Sequence, residues 1–215
     1  MRWPLRLGAL ISLLLLAGCG GPSGGPEPYP LVEGLRARIS MNAGWYDLEV
    51  TEVDGARATL IWMFQGQPLS ERTQYRGLYP VSGTDDGRAF VNDIDIAEID
   101  SLFPLAIGKE AAFEGRSYYL PDGTDSRLFV HMEVTGTDRI ALADAGYDVF
   151  LIRISTAVER DGTRREFVRT LYYAPEIGLP LKMVMKDGEA SSWWRVTSIE
   201  TPGRSRRNRL GTVMI

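Results

Sequence analysis

The stretch from Trp45 to Phe64 (WYDLEVTEVDGARATLIWMF) has the pattern of a β-hairpin. Apolar and polar residues alternate along most of both arms, and Asp54-Gly55 lies between the arms. Asp-Gly suits the positive-φ positions of a two-residue type I′ turn, a favoured connection between antiparallel strands. The stretch therefore predicts two antiparallel strands joined at residues 54–55.

A turn at residues 54–55 would place Val53 opposite Ala56, and this register assigns every side chain of the hairpin to a face. The expected core face carries Tyr46, Leu48, Val50, Thr59, Ile61 and Met63. The other face is mixed and carries Trp45, Asp47, Glu49, Thr51, Ala58, Leu60, Trp62 and Phe64. Large aromatic side chains on a mixed face indicate a cavity, an interface or a second packed sheet.

Asp-Gly recurs at residues 86–87, 122–123, 161–162 and 187–188, mostly between β-rich runs. Around residues 161–162, one predicted face carries Phe150, Ile152, Ile154, Phe167, Leu171 and Tyr173, and the other carries Leu151, Arg153, Ser155, Val168, Thr170 and Tyr172. Around residues 187–188, one face carries Leu181, Met183, Met185 and Trp194, and the other carries Lys182, Val184 and Trp193. The repetition predicts a meander of antiparallel hairpins.

Helix is scarce in this pattern. Residues 96–105 have apolar side chains at helical spacing, and Asp95 precedes them as an N-cap residue. Pro104 and Gly108 are expected to end this helix. Residues 31–39 fit either a short helix or a first strand.

The predicted fold class is mainly β, an antiparallel meander curled into a barrel or half-barrel with one short helix. Several strands carry large apolar residues on both faces, and one helix cannot cover both sides of a broad sheet. Two sheets packed as a sandwich are the alternative arrangement. The short hairpin connections favour the curled sheet, whose interior would be wide enough for one elongated apolar ligand.

The N-terminal residues have the pattern of a bacterial lipoprotein signal peptide, predicted over residues 1–18. Arg2 and Arg6 precede an apolar run of about ten residues, which is too short to span a bilayer. Leu16-Ala17-Gly18-Cys19 then matches a lipobox, and Cys19 is the only cysteine of the chain. The sequence therefore predicts lipidation at Cys19 and firm attachment to a membrane.

The remaining chain divides by composition. Residues 19–30 are rich in Gly and Pro and predict a flexible tether after the lipidated cysteine. Residues 31–201 predict a single β-rich domain, and residues 202–215 a basic C-terminal tail. Bacterial lipoproteins that resemble this chain are retained in the inner membrane when Asp follows the lipidated cysteine. Gly20 stands at that position here, which implies anchoring in the outer membrane, at its periplasmic face.

Net charge and residue types exclude several classes of function. The chain carries a net charge of −4, and removal of the two leader arginines makes it more acidic, which argues against nucleic acid as a partner. A single histidine, His131, and a single cysteine do not make an ordinary zinc site, so no metal or other cofactor is expected. No G-x-S-x-G nucleophile motif occurs.

Two further interpretations of the sequence concern His131 and an acidic run. His131 with Glu114 across from it would form a charged pair if the turn at residues 122–123 is tight. An acidic run lacks the spacing of an EF-hand loop and fits a solvated turn with a helix cap, its members being Asp85, Asp86, Asp93, Asp95, Glu98 and Asp100. We expect no enzyme, and a carboxylate-based hydrolase is the alternative.

Three segments carry a resemblance to known proteins: residues 144–147 (DAGY), residues 170–182 (TLYYAPEIGLPLK) and residues 102–115 (LFPLAIGKEAAFEG). They resemble a family of uncharacterised periplasmic proteins and lipoproteins of Gram-negative bacteria, with an Ala-Gly-aromatic turn and a Tyr-Tyr-Ala-Pro-x-x-Gly motif. That family is similar in shape to the lipoprotein-carrier fold, an unclosed antiparallel barrel with a helical lid over an apolar cavity. The resemblance implies handling of lipid or lipoproteins.

These observations predict a non-catalytic, outer-membrane-anchored binding module for an apolar ligand such as lipid or lipoprotein acyl chains. Candidate ligand-binding residues are the large aromatics Trp45, Trp62, Phe64, Phe150, Tyr172 and Trp193. The expected partners are the membrane, through the anchor, and a lipid or an envelope protein. The alternative is a structural lipoprotein that docks on an envelope complex through exposed aromatics and holds no ligand.

Overall fold

The computed structural model describes residues 28–41, 44–85, 87–121, 123–143 and 145–203. In these residues the chain forms one short helix, α1 (Ile96–Asp100), and twelve strands. The strands, in chain order, are β1 (Arg36–Met41), β2 (Gly44–Asp54), β3 (Arg57–Phe64), β4 (Gln67–Tyr75), β5 (Tyr79–Asp85), β6 (Arg88–Ile94), β7 (Glu110–Leu120), β8 (Thr124–Ala141), β9 (Gly146–Arg160), β10 (Thr163–Ala174), β11 (Leu179–Asp187) and β12 (Ala190–Glu200).

The sheet is a closed barrel. Each strand pairs antiparallel with the next along the chain, and β1 pairs with β12 to complete the ring. This arrangement confirms the predicted mainly β meander with one short helix and selects the barrel over the sandwich. Because β1 is paired on both sides, the described sheet has no open edge to template pairing with another chain.

The glycines of the five Asp-Gly dipeptides all lie in connections between consecutive strands, at Gly55, Gly87, Gly123, Gly162 and Gly188. In the β9–β10 hairpin, Arg160 pairs with Thr163, and both loop residues have positive φ, as a type I′ turn requires. The predicted faces of this hairpin are confirmed, since Ile152 pairs with Leu171. The β11–β12 faces are confirmed in the same way, because Met183 pairs with Trp194.

The predicted register of the β2–β3 hairpin is wrong. Asp54 pairs with Arg57, so the loop begins at Gly55, and Thr51 is an extra residue that has no partner on β3. Because of this bulge the predicted faces of β3 are reversed, with Leu60 opposite Val50 and Trp62 opposite Leu48. Ile61 and Met63 therefore lie on the outer face with Glu49 and Asp47. The predicted core residues Leu48 and Val50 of β2 are buried, as expected.

Helix α1 begins where the sequence predicts and ends earlier. The Asp95 carboxylate accepts a hydrogen bond from the Ala97 N–H at 3.0 Å, which caps the first turn. The helix stops at Asp100 instead of continuing to residue 105, and the chain after it remains part of the core through the fully buried Leu102. Residues 31–35 form a loop and β1 begins at Arg36, so this segment contains a first strand and no helix.

One end of the barrel, which we call the capped end, is covered by residues 28–35 and 95–109. Ile99 and Leu102 are fully buried there against strand residues. Arg76, at the β4–β5 turn, donates from Nε to Asp100 Oδ1 at 2.5 Å, and the Tyr75 hydroxyl donates to Asp100 Oδ2 at 2.6 Å. These two bonds fasten the end of α1 to the barrel wall.

The opposite end, which we call the turn end, carries the hairpin connections at residues 65–66, 161–162 and 188–189.

Several predicted segments lie outside the described residues: the leader, the lipobox with Cys19, most of the tether and nearly all of the basic tail. Of the predicted tether, Tyr29 packs against the barrel and its hydroxyl donates to the Gly178 carbonyl at 3.0 Å. Within the described residues, no helix has the length and apolar character needed to cross a bilayer.

Candidate functional site

The inner faces of the strands line a cavity of about 480 Å³ in the barrel interior. About half of its lining residues lie in the part of each strand nearer the turn end, and the lining extends to residues 77–80 at the β4–β5 connection of the capped end. A twelve-stranded barrel is wider than the eight-stranded barrels that side chains alone can fill, so an unfilled space is physically expected. The volume is within the range of small-molecule sites in proteins.

One wall of the cavity is apolar and aromatic. Trp62 on β3 and Trp194 on β12 meet edge to face, with ring centroids 5.7 Å apart. Met183 pairs with Trp194 and extends this wall onto β11. Thioether and indole groups of this kind adapt to apolar ligands of irregular shape.

Other parts of the lining are polar and positively charged. Arg72 on β4 and Arg169 on β10 both line the cavity, and none of the described lining residues is acidic. Burial lowers the pKa of Arg169, the Tyr79 side chain raises it and the nearby Arg72 charge lowers it. The cavity therefore brings two arginines close together in the barrel interior.

Tyr79 and Thr156 complete the surroundings of Arg169. The guanidinium carbon of Arg169 lies 4.9 Å from the centroid of the Tyr79 ring, which is a cation–π contact. Burial raises the pKa of Tyr79, and this rise is opposed by the Arg169 charge and by the nearby Thr156 side chain. The Tyr79 phenol is therefore neutral at neutral pH and does not neutralise the arginine.

Of the six candidate aromatics, the structure places Trp62 in the wall of this cavity. Its predicted position on a face with Trp45 is wrong, because the Thr51 bulge turns Trp62 inward. Phe150 also faces inward, as its pairing with the buried Tyr173 requires, but it packs against the core beyond the cavity.

The other four candidates lie away from the cavity. Trp45 is 59% exposed on the outer face, and Phe64 is 40% exposed at the turn end with its ring 5.2 Å from that of Tyr46. Tyr172 lies on the outer face under the Lys182 ammonium group, 4.3 Å from its ring centroid. Trp193 is 40% exposed and pairs with Val184 on the outer face. The structure thus does not bring the six aromatics together, and the ligand-binding role of each stays a prediction.

His131 lies in an open groove on the outside of the barrel. The predicted partner, Glu114, is wrong, because the β7–β8 connection is longer than two residues and places Ala112 opposite His131. Glu110 is the nearby carboxylate, with Oε2 3.5 Å from His131 Nε2, and Glu114 instead pairs with Arg127 at 3.5 Å. Both partners of the His131 contact are more than 40% exposed, so the contact contributes little to stability.

Sequence reasoning missed the two cavity arginines, although a signal for one of them was present. Arg169 falls at the central position of the alternating series Phe167, Leu171 and Tyr173, which predicts an inward side chain. A charged residue inside an otherwise apolar face is an exception that usually has a functional or structural reason. Arg72 has no comparable signal, since β4 is polar along most of its length.

Comparison with known proteins finds similarity in fold alone. No protein-family model matches the chain, and no curated protein matches its sequence. The hypothetical lipoprotein YmcC from Escherichia coli K12 superimposes with a TM-score of 0.51 at 8% identity, over 81% of this chain and 88% of that one. A Bacteroides fragilis NCTC 9343 protein described as exported, with a YmcC-like fold, gives a TM-score of 0.46 at 10% identity, over 80% of this chain and 98% of that one.

Proposed function

We propose that this protein is a lipid-anchored, non-catalytic binding module of the bacterial envelope whose barrel interior holds the apolar part of a ligand. The observation that carries this proposal is the interior cavity of about 480 Å³ with an aromatic and thioether wall. The ligand class is a lipid or the acyl chain of a lipoprotein. Its apolar surface would replace water against Trp62, Met183 and Trp194, which is favourable in proportion to the area covered.

The compartment follows from the sequence and is part of the same proposal. The lipobox at residues 16–19 supports acylation of Cys19, and Gly20 favours the outer membrane, on its periplasmic face. The fold is similar to that of an E. coli protein described as a lipoprotein, which is consistent with an envelope location. In this arrangement the tether leads directly into residues 28–35, which cover the capped end. The capped end therefore lies nearer the anchor than the turn end does.

Native mass spectrometry of the full-length protein, extracted in a neutral detergent, tests both parts. We expect an acyl mass on Cys19 and one retained lipid per chain. Trp62→Ala should lower the occupancy of that lipid, because it removes part of the cavity wall, and Trp193→Ala, a matched change on the outer face, should leave it unchanged. An unmodified Cys19 would contradict the localisation, and a ligand-free wild-type protein that takes up no added lipid would contradict the binding role.

A second candidate function is a docking lipoprotein without a ligand. It is favoured by exposed apolar side chains near the turn end, where Trp45, Phe64 and Leu69 are 59%, 40% and 61% exposed. Exposed aromatics are common anchors in protein interfaces. The same mass-spectrometric experiment separates the two functions, because a docking protein would carry no lipid and would retain a protein partner in fixed stoichiometry.

A further inference from the structure

The charge of the cavity has a consequence for the ligand. Arg169 extends from the inner face of β10, where its neighbours across the ladder are Ile154 and Met185. Within the described residues, no carboxylate lies within ion-pair distance of its guanidinium, and its buried Nε has no hydrogen-bond partner. The positive charge of Arg169 is therefore compensated in the described structure only by the face of the Tyr79 ring.

An arginine in this position is costly for the fold. Removal of a charged group from water costs several kcal/mol unless a counter-charge or a set of hydrogen bonds replaces the water. Arg72 lines the same cavity, and its charge lowers the pKa of Arg169, which shows that the two guanidinium groups repel each other. A bound anion would offset this cost by pairing with the guanidinium and accepting its Nε–H.

The polar groups near the arginines favour an anion as well. Ser117 and Ser126 line the cavity and are less than 10% exposed, and Asn92 and Thr156 lie in the same wall. Hydroxyl and amide groups donate hydrogen bonds to phosphate and carboxylate oxygens. The wall is thus equipped with neutral donors and cations, and its described part contributes no acidic side chain.

The arginine wall is continuous with the apolar wall. On adjacent strands, Arg169 pairs with Met185, and Met183, one inward position further along β11, pairs with Trp194. Trp194 in turn contacts Trp62 across the interior. Two strand spacings separate β10 from β12, so the cationic and aromatic groups lie on the order of 10 Å apart. A ligand that contacts both must have an anionic head and an apolar chain.

We propose that the barrel binds a single-chain amphipathic anion, whose carboxylate or phosphate head pairs with Arg169 and whose acyl chain packs against Met183, Trp194 and Trp62. This proposal rests on the proposed function, since it names the ligand class of the same cavity. It adds that the head group is recognised inside the barrel and that a neutral lipid of equal length binds more weakly.

Displacement of a fluorescent fatty acid from the full-length lipoprotein, at one fixed concentration of neutral detergent, tests the proposal. The competitors are dodecanoate, dodecyl phosphate, dodecanol and inorganic phosphate. For the wild-type protein we expect both amphipathic anions to compete at concentrations on the order of 10- to 100-fold below that of dodecanol, the range for a buried charge pair. Inorganic phosphate should not compete, because it lacks the chain.

Variants identify the residue responsible. Arg169→Gln should remove the preference for the anions and leave dodecanol binding unchanged, whereas Arg169→Lys should retain most of the preference. Arg153→Gln is the matched control, an exposed arginine on the neighbouring strand β9 that faces outward. Urea unfolding confirms that each variant is folded, and we expect Arg169→Gln to be at least as stable as the wild type because it removes a buried charge.

Each outcome has a defined meaning. Equal competition by dodecanol and dodecanoate in the wild type, or a preference that survives Arg169→Gln, would overturn the anion proposal and leave apolar binding intact. Competition by inorganic phosphate alone would overturn the amphipathic ligand in favour of a simple anion site. Failure of every competitor and of the fluorescent fatty acid itself would overturn the proposed function.

Discussion

At the scale of single residues, Tyr29 fixes the point at which the N-terminal segment joins the barrel. Its ring packs where the β4–β5 and β10–β11 connections approach each other closely. A Cβ on Gly77 would lie 2.5 Å from the Gly178 carbonyl oxygen and 3.2 Å from the Tyr29 hydroxyl. Gly77 has a φ of 64°, so the position demands glycine for its backbone as well as for space. The Tyr29 hydroxyl satisfies the Gly178 carbonyl, which the buried turn would otherwise leave unpaired.

Burial of Tyr29 predicts a loss of stability in alkali. Burial, and to a lesser extent the neighbouring Tyr173, raise the pKa of Tyr29 well above 10.0, while Arg76 lowers it. Because the unfolded chain releases this proton first, the stabilisation is complete below about pH 10 and is lost as pH rises toward the higher folded pKa, by about 1.4 kcal/mol per pH unit. Urea unfolding between pH 8 and 11 should show a shallower decline for Tyr29→Phe than for the wild type.

The same variant at pH 8 provides the control, because there the phenol is neutral in both states and the difference measures the lost hydrogen bond, about 1 kcal/mol. The pKa values of Tyr75 and Tyr79 are also raised by burial, and both residues remain in the variant. The variant should therefore still lose some unfolding free energy as the pH rises. Parallel curves for the two proteins across this pH range would contradict the assignment to Tyr29.

At the scale of elements, the Thr51 bulge determines which side of the β2–β3 hairpin faces the cavity. Val50 and Val53 both face inward although they are three residues apart, which an uninterrupted strand does not permit. The bulge supplies the extra residue, and the Thr51 hydroxyl donates to the Thr59 carbonyl at 3.3 Å. Trp62 reaches the interior only because of this irregularity.

Deletion of Thr51 should therefore be tolerated, while deletion of Glu49 should not. Without Thr51, Glu52 still pairs with Thr59 and Val50 with Leu60, so every inward side chain keeps its face, and the cost should be about 1–2 kcal/mol. Without Glu49, any regular ladder turns either Val50 outward or Asp47 inward, and the cost should be on the order of 3–5 kcal/mol. Urea unfolding of the two full-length variants provides the comparison, and equal destabilisation would contradict the role assigned to the bulge.

The β2–β3 and β9–β10 hairpins show how much of the fold can be predicted from the sequence. At residues 161–162 the turn type and the alternation agree, and the faces follow without error. At residues 54–55 the dipeptide is the same, yet the glycine begins the loop and a bulge at Thr51 precedes the turn, so the faces of β3 reverse. The bulge depends on how the strand bends within the closed barrel, a tertiary demand that local alternation indicates only through the spacing of Val50 and Val53.

The candidate site was less predictable than the fold for a related reason. The cavity forms where inward side chains from many strands meet, and register errors of one residue on any strand exchange its members. Regular alternation places Trp62 on the wrong face, because it does not include the Thr51 bulge. It places Arg169 correctly on the inner face of β10, but the apolar residues of that series indicate core and not a cavity. Aromatic residues on the outer face, such as Trp45, gave an equally strong sequence signal without contributing to the cavity.

At the scale of the whole molecule, closure distinguishes this barrel from an unclosed carrier-like sheet. The β1–β12 pairing runs from Arg36–Glu200 to Met41–Trp194 and joins the two ends of the described domain. The register shifts once, between Arg38 and Ile39, and the Thr197 hydroxyl donates to the Arg38 carbonyl at 3.1 Å at that point. A closed ring holds the distance between the arginine wall and the tryptophan wall fixed, whereas an open sheet would let it vary.

Hydrogen–deuterium exchange measured by mass spectrometry on the full-length lipoprotein tests closure directly. Amides of β1 and β12 should exchange as slowly as those of β8 and β9, because paired strands on both sides leave no edge to fray and the barrel opens only by cooperative unfolding. Peptides covering the turns at residues 65–66 and 161–162 serve as the fast-exchanging internal standard. If β1 and β12 exchanged at turn-like rates while β8 and β9 stayed protected, the ring would be open in solution, and the fixed spacing of head-group and chain contacts would no longer follow from the fold.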